Sequence, residues 1–259
     1  MPRFAANLTM LFNEVDFLDR FRLARESGFQ GVEYLFPYAW APEQLGQALE
    51  ANGLFQVLFN MPPGDWDAGD RGLACLPDRV EEFRAGVDES IRYARALNCH
   101  QVNCLAGLLP ANANESEAWD TLISNVKYAA EKLREADINL CLEAINSRVD
   151  MPGFFLDNSA RVMQVIESVD ADNVKLQYDV YHMQIMEGDL IRTLECLLPW
   201  IGHIQIADNP GRHQPGTGEI NFSRLFEALD TTGYQGWVGA EYHPDGTTLA
   251  SLEWFRNQP

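Results

Sequence analysis

Short apolar runs alternate with longer amphipathic segments along almost the whole chain. Runs of strand length fall at 5–12, 31–36, 54–61, 101–106, 138–145, 174–181, 203–207 and 237–242. Between them, apolar residues recur at helical spacing over 15–27, 42–51, 78–97, 115–136, 158–168, 189–198 and 222–231, with a final short helix at 249–256. Helix punctuation agrees with these bounds. Ser27-Gly28, Asn52-Gly53 and Thr232-Gly233 supply C-cap glycines, Pro77-Asp78 opens the third helix, and Asn158-Ser159 offers N-caps to the fifth.

Strand and helix alternating throughout predict a parallel sheet covered by crossover helices. Eight such units in 259 residues predict a single (β/α)₈ TIM barrel, one domain spanning 1–259. An open, doubly wound sheet is the competing architecture. It commonly carries a Gly-x-Gly-x-x-Gly turn after the first strand, where this chain has Phe12-Asn13-Glu14. The longest strand–helix connection, 62–77, holds three Gly, three Asp and Trp66. It is read either as a cover over the barrel mouth or as a plain surface excursion.

In such barrels the chemistry sits at the C-terminal ends of the strands. Four consecutive strands each carry one oxygen-bearing side chain there: Glu143, Asp179, Gln205 and Glu241. Strand alternation that turns these four inward also turns Cys141, Gln177, His203 and Gly239 inward. Three carboxylates buried together are costly unless a cation neutralises them. The predicted metal ligands are therefore Glu143, Asp179, Gln205 and Glu241, an all-oxygen set that favours Mg²⁺ or Mn²⁺ over Zn²⁺. For any one of these carboxylates alone, a hydrogen bond to a nearby loop would be explanation enough.

His182, three residues past Asp179, and Arg212, beyond Gln205, could bind a substrate carboxylate beside the metal. A surface arginine is the plain alternative for Arg212. His203 lies deeper on its strand and reads as a satisfied core histidine. Glu33, inside the second run, has no assignable role. The 215–219 loop reads as a tight turn before the next helix, with phosphate cradling as the weaker option. Phe36, Tyr38, Trp40 and Trp66 either wall a small pocket or simply pack.

Composition narrows the partners. A formal charge of -19 disfavours nucleic acid and anionic membranes, and an acidic substrate would need local positive charge in the site. Five cysteines without a Cys-x-x-Cys pair suit reduced thiols. The first twelve residues lack a signal-peptide pattern, and no run approaches the ~20 apolar residues of a membrane span. The expectation is a cytoplasmic enzyme, with homo-oligomerisation left open.

The chain resembles the hydroxypyruvate isomerase family, within the xylose-isomerase-like barrels, over essentially its whole length. The resemblance rests on Arg3-Phe4-Ala5-Ala6-Asn7-Leu8, Val32-Glu33-Tyr34-Leu35-Phe36-Pro37-Tyr38, Pro63-Gly64-Asp65-Trp66 and Asn103-Cys104-Leu105. Its most specific stretches are Gln177-Tyr178-Asp179-Val180-Tyr181-His182-Met183-Gln184 and Gln205-Ile206-Ala207-Asp208-Asn209-Pro210. Pro215-Gly216-Thr217-Gly218-Glu219-Ile220-Asn221 and Gly236-Trp237-Val238-Gly239-Ala240-Glu241-Tyr242 complete it. The resemblance implies that Glu143 and Glu241 are the acid/base pair, that Asp179 and Gln205 complete a metal site, and that the substrate is a small 2-oxo acid. A branch acting on a four-carbon 2-oxo acid is the first alternative. The chain departs from the family pattern at His243, where a lysine is expected, and in the order of basic residues within Gly211-Arg212-His213-Gln214. Two other classes stay open: a metal-dependent nuclease for damaged DNA, which would want several metals, many histidines and a basic groove, and a metal-free barrel that binds sugar acids.

Overall fold

A computed structural model of the protein describes residues 2–256. Eight parallel strands run in the order β3-β2-β1-β8-β7-β6-β5-β4. They are β1 (Arg3–Asn7), β2 (Gly31–Tyr34), β3 (Phe55–Phe59), β4 (Gln101–Cys104), β5 (Asn139–Glu143), β6 (Val174–Asp179), β7 (Ile201–Ile206) and β8 (Trp237–Ala240). β3 and β4 close the ring through the Asn60–Asn103 bridge, where the Met61 N–H donates to the Asn103 carbonyl at 2.8 Å. The eight-unit barrel expected from the alternation is the observed architecture.

The helices form the outer layer: α1 (Phe17–Glu26), α2 (Pro42–Asn52), α3 (Val80–Leu97), α4 (Glu115–Arg134), α5 (Ser159–Val169), α6 (Val180–Met186), α7 (Leu190–Leu197), α8 (Phe222–Thr232), α9 (Thr248–Ser251) and α10 (Glu253–Arg256). Their buried stripes follow helical spacing. α3 buries Phe83, Val87, Ser90, Ala94 and Leu97. α4 begins at Asn114, whose side chain accepts from the Ser116 and Glu117 N–H groups. It has Glu115 and Glu117 in its first turn and Lys132 and Arg134 in its last, so its charges complement the helix dipole. Gly53 and Gly233 end α2 and α8 in the left-handed conformation, as Asn52-Gly53 and Thr232-Gly233 predict.

Three expectations shift. The run at 174–181 stops being a strand at Asp179, because its carboxylate caps α6 and turns Val180 and Tyr181 into helix. The continuous apolar run hid this boundary. The run at 5–12 is strand only to Asn7; beyond it the Met10 and Leu11 N–H groups turn back onto the Asn7 carbonyl. The last helix breaks at Leu252 into α9 and α10. The 62–77 connection is an anchored excursion. Gly72 bridges Ala106, Cys75 N–H donates to the Ala106 carbonyl at 2.8 Å, and Leu73, Ala74 and Cys75 are buried. Its tip returns Trp66 to Phe36 at 5.0 Å between ring centroids.

The barrel floor is tight. A Cβ on Gly31 would lie 2.6 Å from Val57 Cγ2 and 2.9 Å from the Trp237 ring. Overpacking of this kind costs about 1–3 kcal/mol. Gly31→Ala should lower the unfolding free energy by that amount, read as a lower denaturant midpoint at unchanged m-value; wild-type stability would show that the floor has slack.

Candidate active site

The strands deliver their polar residues to one end of the barrel. Glu143 and Asp179 are the last residues of β5 and β6, Gln205 is the penultimate residue of β7, and Glu241 follows β8 directly. All four are buried. Glu143, Asp179 and His182 each bring one ligand atom within 4.8 Å of the others. Glu241 lies outside that group but interacts electrostatically with Glu143 and Asp179, and its Oε1 is 3.6 Å from Arg212 Nη2.

Local sequence explains the placement of each. Asn103 on β4 donates to Glu143 Oε2 at 2.8 Å. Asp179 Oδ1 accepts the His182 backbone N–H at 2.9 Å, so a single cap fixes both the carboxylate and the start of the helix that carries His182. His182 Nε2 then lies 3.9 Å from Glu143 Oε1 and 4.0 Å from Asp179 Oδ2. Arg212 enters from the loop after β7. The Asp208 carboxylate holds that loop by accepting N–H bonds from Asn209, Gly216, Gly218 and Ile220 at 2.8–3.1 Å. The glycine-rich stretch therefore wraps an internal carboxylate and acts as a turn. His243, one of the departures from the family pattern, ties the loop to the β8 end: its N–H donates to the Arg212 carbonyl at 2.9 Å.

Arg212 sits in a cage of its own. Its Nη1 is 3.3 Å from Asp150 Oδ2 and its guanidinium lies 5.1 Å from the centre of the Tyr181 ring. Its Nε is buried without a protein partner. Burial opposes the arginine's charge, but Glu241, Asp179 and Asp150 more than offset it and raise the pKa.

Burial and then the neighbouring Asp179 push the Glu143 carboxyl up to about 8, against the lowering effect of the Asn103 hydrogen bond. Burial likewise raises Asp179 and raises Glu241 well above the ordinary range, with Arg212 the main opposing influence on both. Burial and Arg212 depress His182 well below its usual value, so the imidazole is neutral.

Beneath this cluster lies a second polar layer centred on Glu33, a residue that strand periodicity left without a role. Its carboxylate is paired with His203 Nε2 at 2.6 Å and accepts from Gln205 Nε2 at 2.8 Å and Asn7 Nδ2 at 3.0 Å. Gln205 Oε1 in turn accepts from Gln177 Nε2 at 2.6 Å. His203 is thus a satisfied interior histidine. Gly239 is required here, because a Cβ on it would lie 2.3 Å from Glu33 Oε2. Register irregularities at Val32/Glu33 and Leu176/Gln177 re-aim these two side chains. The aromatic residues divide: Trp40 stacks on Phe17 at 4.1 Å as ordinary packing, while Phe36 and Trp66 pair across two strand-end loops.

Sequence reasoning missed Asn103, Asn146, Asp150 and Asp208 around the site. Asp208 had a readable signal, an aspartate just after a strand facing a Gly-rich loop. Asp150 and Asn146 lie in an irregular loop whose spacing carries none.

Known proteins share this arrangement of strands and sequence. The family model described as "Xylose isomerase-like TIM barrel" matches residues 21–258. The chain is 50% identical over 254 residues to a hydroxypyruvate isomerase of Escherichia coli (strain K12), covering 98% of each chain. It is 46% identical over 256 residues to a 2-oxo-tetronate isomerase of Cupriavidus necator, covering 99% of this chain and 98% of the other. A crystal structure of a Brucella melitensis protein named "AP endonuclease, family 2" superposes with a TM-score of 0.96 at 46% identity, over 99% of this chain and 98% of that one. By the extent of the family match and the identity to these relatives, the chain belongs to the xylose isomerase-like TIM barrel family.

Proposed function

We propose that this barrel is an isomerase that interconverts hydroxypyruvate and 2-hydroxy-3-oxopropanoate (tartronate semialdehyde). The observation that carries the reading is three buried carboxylates, Glu143, Asp179 and Glu241, set against one half-buried guanidinium that keeps a buried free donor, Arg212 Nε. A carboxylate-bearing substrate completes that guanidinium, and the acids supply proton transfer.

The residues fit a divalent cation. Three acids face a single positive charge and a neutral imidazole, and burial, the largest cause, raises all three carboxyl pKa values, so their ionised forms lack the compensation a cation would give. We assign the ion to Glu143, Asp179, Gln205 and Glu241. This oxygen set suits Mg²⁺ or Mn²⁺. Once bound, such an ion neutralises the acids and acts as a Lewis acid toward the substrate's adjacent oxygens.

The chain's own groups do the rest. Arg212, braced by Asp150 and Tyr181, binds the substrate carboxylate. Glu143 and Glu241 exchange the carbon proton: one takes it from the hydroxyl-bearing carbon, the other gives a proton to the neighbouring carbon of the enediolate, and the hydroxyl proton passes to the former carbonyl oxygen. His182 donates from Nε2 to a substrate oxygen. The five unpaired cysteines, four of them buried, support a reducing, cytoplasmic setting. Among the described residues no helix is long and apolar enough to cross a membrane.

A nuclease reading, which the name of the Brucella protein suggests, is poorly supported. The chain's charge is -19. Among the described residues His182 joins the carboxylates, while His203 is committed to Glu33 and His213 to the carbonyl of His243. The four-carbon alternative is favoured by the Cupriavidus relative and is the natural second substrate to assay.

The direct test follows hydroxypyruvate in D₂O by proton NMR with chelator-stripped protein, with and without Mg²⁺ or Mn²⁺. Metal-dependent formation of tartronate semialdehyde is expected. No conversion with either ion would overturn the three-carbon assignment, and conversion of the four-carbon acid alone would move it to the second substrate. Glu143→Gln and Glu241→Gln should each lower kcat by about 10²–10⁴-fold with the fold retained; near-normal turnover in both would refute the acid/base pair.

The raised pKa values also fix a pH dependence. The folded state holds protons that the unfolded chain has already released. The contribution of Glu143 to the stability of the stripped protein is therefore fully present below the ordinary value of 4.5 and is lost as pH rises toward about 8. Other groups titrate in the same range, so the comparison is with Glu143→Gln: its thermal midpoint should fall less between pH 5.5 and 8.5. Parallel profiles would contradict the burial of an uncompensated acid.

A further inference from the structure

His182 Nδ1 has its hydrogen-bond contact with neither a carboxylate nor a carbonyl. It faces the side-chain amide nitrogen of Asn146 at 2.7 Å. The orientation of that amide is fixed by the backbone, because Asn146 Oδ1 accepts the N–H groups of Val149 at 3.0 Å and Asp150 at 2.9 Å. With its oxygen engaged, Asn146 has only N–H to offer. It spends one on His182 Nδ1 and the other on Asp150 Oδ2 at 3.1 Å. Both residues are buried, so no solvent path offers Nδ1 another partner. Two N–H donors cannot share a 2.7 Å contact, so Nδ1 must be the acceptor. A neutral imidazole that accepts at Nδ1 carries its proton on Nε2.

We propose that Asn146 is a positioning residue that locks His182 in the Nε2–H tautomer, aiming a hydrogen-bond donor at the space between Glu143 and Asp179. The consequence separates two roles that distance alone leaves together. Nε2 lies 3.9–4.0 Å from both carboxylates, near enough to belong to a metal cluster with them. A histidine that ligates a metal through Nε2 ordinarily donates its other N–H to an acceptor. Here that position holds a donor. His182 therefore serves the substrate oxygen, and the ion is left to oxygen ligands.

The alternative partner is excluded by geometry. Asp150 Oδ2, which would favour the Nδ1–H form, lies 3.7 Å from Nδ1, and the Asn146 amide bonds to both. Asp150 is instead committed to Arg212, Tyr181 and Asn146. One loop thus orients both groups that meet the substrate: Asn146 sets the imidazole and Asp150 braces the guanidinium.

This inference rests on the isomerase reading for its effect on rate, but the tautomer itself can be read without substrate or metal. Uniformly ¹⁵N-labelled protein, stripped with chelator at pH 7.5, is examined by long-range ¹H–¹⁵N correlation of the imidazole nitrogens. His182 is assigned by comparison with His182→Gln. The expected result is a protonated Nε2 and a bare Nδ1. Asn146→Asp, nearly the same size, supplies an acceptor and should reverse the tautomer. The variant should lose about 10²-fold in kcat, the usual cost of one preorganised donor, with a smaller change in KM. A protonated Nδ1 in the wild-type protein would overturn the proposal whether or not the variant folds. So would a folded Asn146→Asp that keeps the wild-type tautomer, or one that reverses it at full turnover. Failure of the isomerase reading would show differently, as wild-type inactivity toward both 2-oxo acids with the nitrogen spectrum unchanged.

Discussion

Three carboxylates buried within reach of one another are the constraint on which the rest of the structure turns. Burial pushes Glu143, Asp179 and Glu241 toward their protonated forms, and the neighbouring acids add to it at Glu143 and Glu241. A barrel with an apolar interior would not tolerate them, and this one does so by specific local support. Asn103 donates to Glu143, two backbone N–H groups lower Asp179, and Arg212 lies against Glu241. Each support comes from a different strand end or loop, so the site depends on correct closure of the whole ring. Closure between β3 and β4 runs through Asn60 and Asn103, so the seam of the barrel and a hydrogen bond to Glu143 share one residue.

The layer below explains how Gln205 is held in place. An amide can rotate, and a rotated amide would present N–H where an oxygen is wanted. Glu33 takes the amide N–H groups of Gln205 and Asn7, and Gln177 donates to the Gln205 oxygen. The space for Glu33 exists because residue 239 lacks a side chain. Two irregularities in strand pairing turn Glu33 and Gln177 into the layer. The interior is thus ordered as an apolar floor near Ala5, Val57 and Cys141, an amide and carboxylate layer, and the acidic cluster at the mouth.

Much of this was legible in the sequence, and the limits are physical. Strand number and order of elements follow from periodicity, since each strand had to be apolar on both faces and each helix on one. Glu143, Asp179, Gln205 and Glu241 stood out because strand alternation has a fixed period, so position late in a run fixes the face. The short helix α6 was not legible, because Val180 and Tyr181 prolong an apolar run and only the cap at Asp179 ends the strand. Glu33 could be seen but not placed: its partners His203 and Gln205 lie 170 and 172 residues away, and periodicity says nothing of contacts at that range. Asn146 and Asp150 were invisible for a different reason. Their roles come from one irregular loop, where an amide oxygen is pinned by two backbone N–H groups and its nitrogen is left to face a ring.

The central claim is that the buried acids exist to hold a divalent cation with oxygen ligands, leaving His182 free to donate. Anomalous scattering from crystals grown with Mn²⁺ tests it most directly. The account predicts one peak within about 2.5 Å of oxygens from Glu143, Asp179, Gln205 and Glu241, with His182 Nε2 outside the coordination shell. A peak ligated by His182 Nε2, or no peak at the four strand ends in protein that turns over substrate, would contradict it.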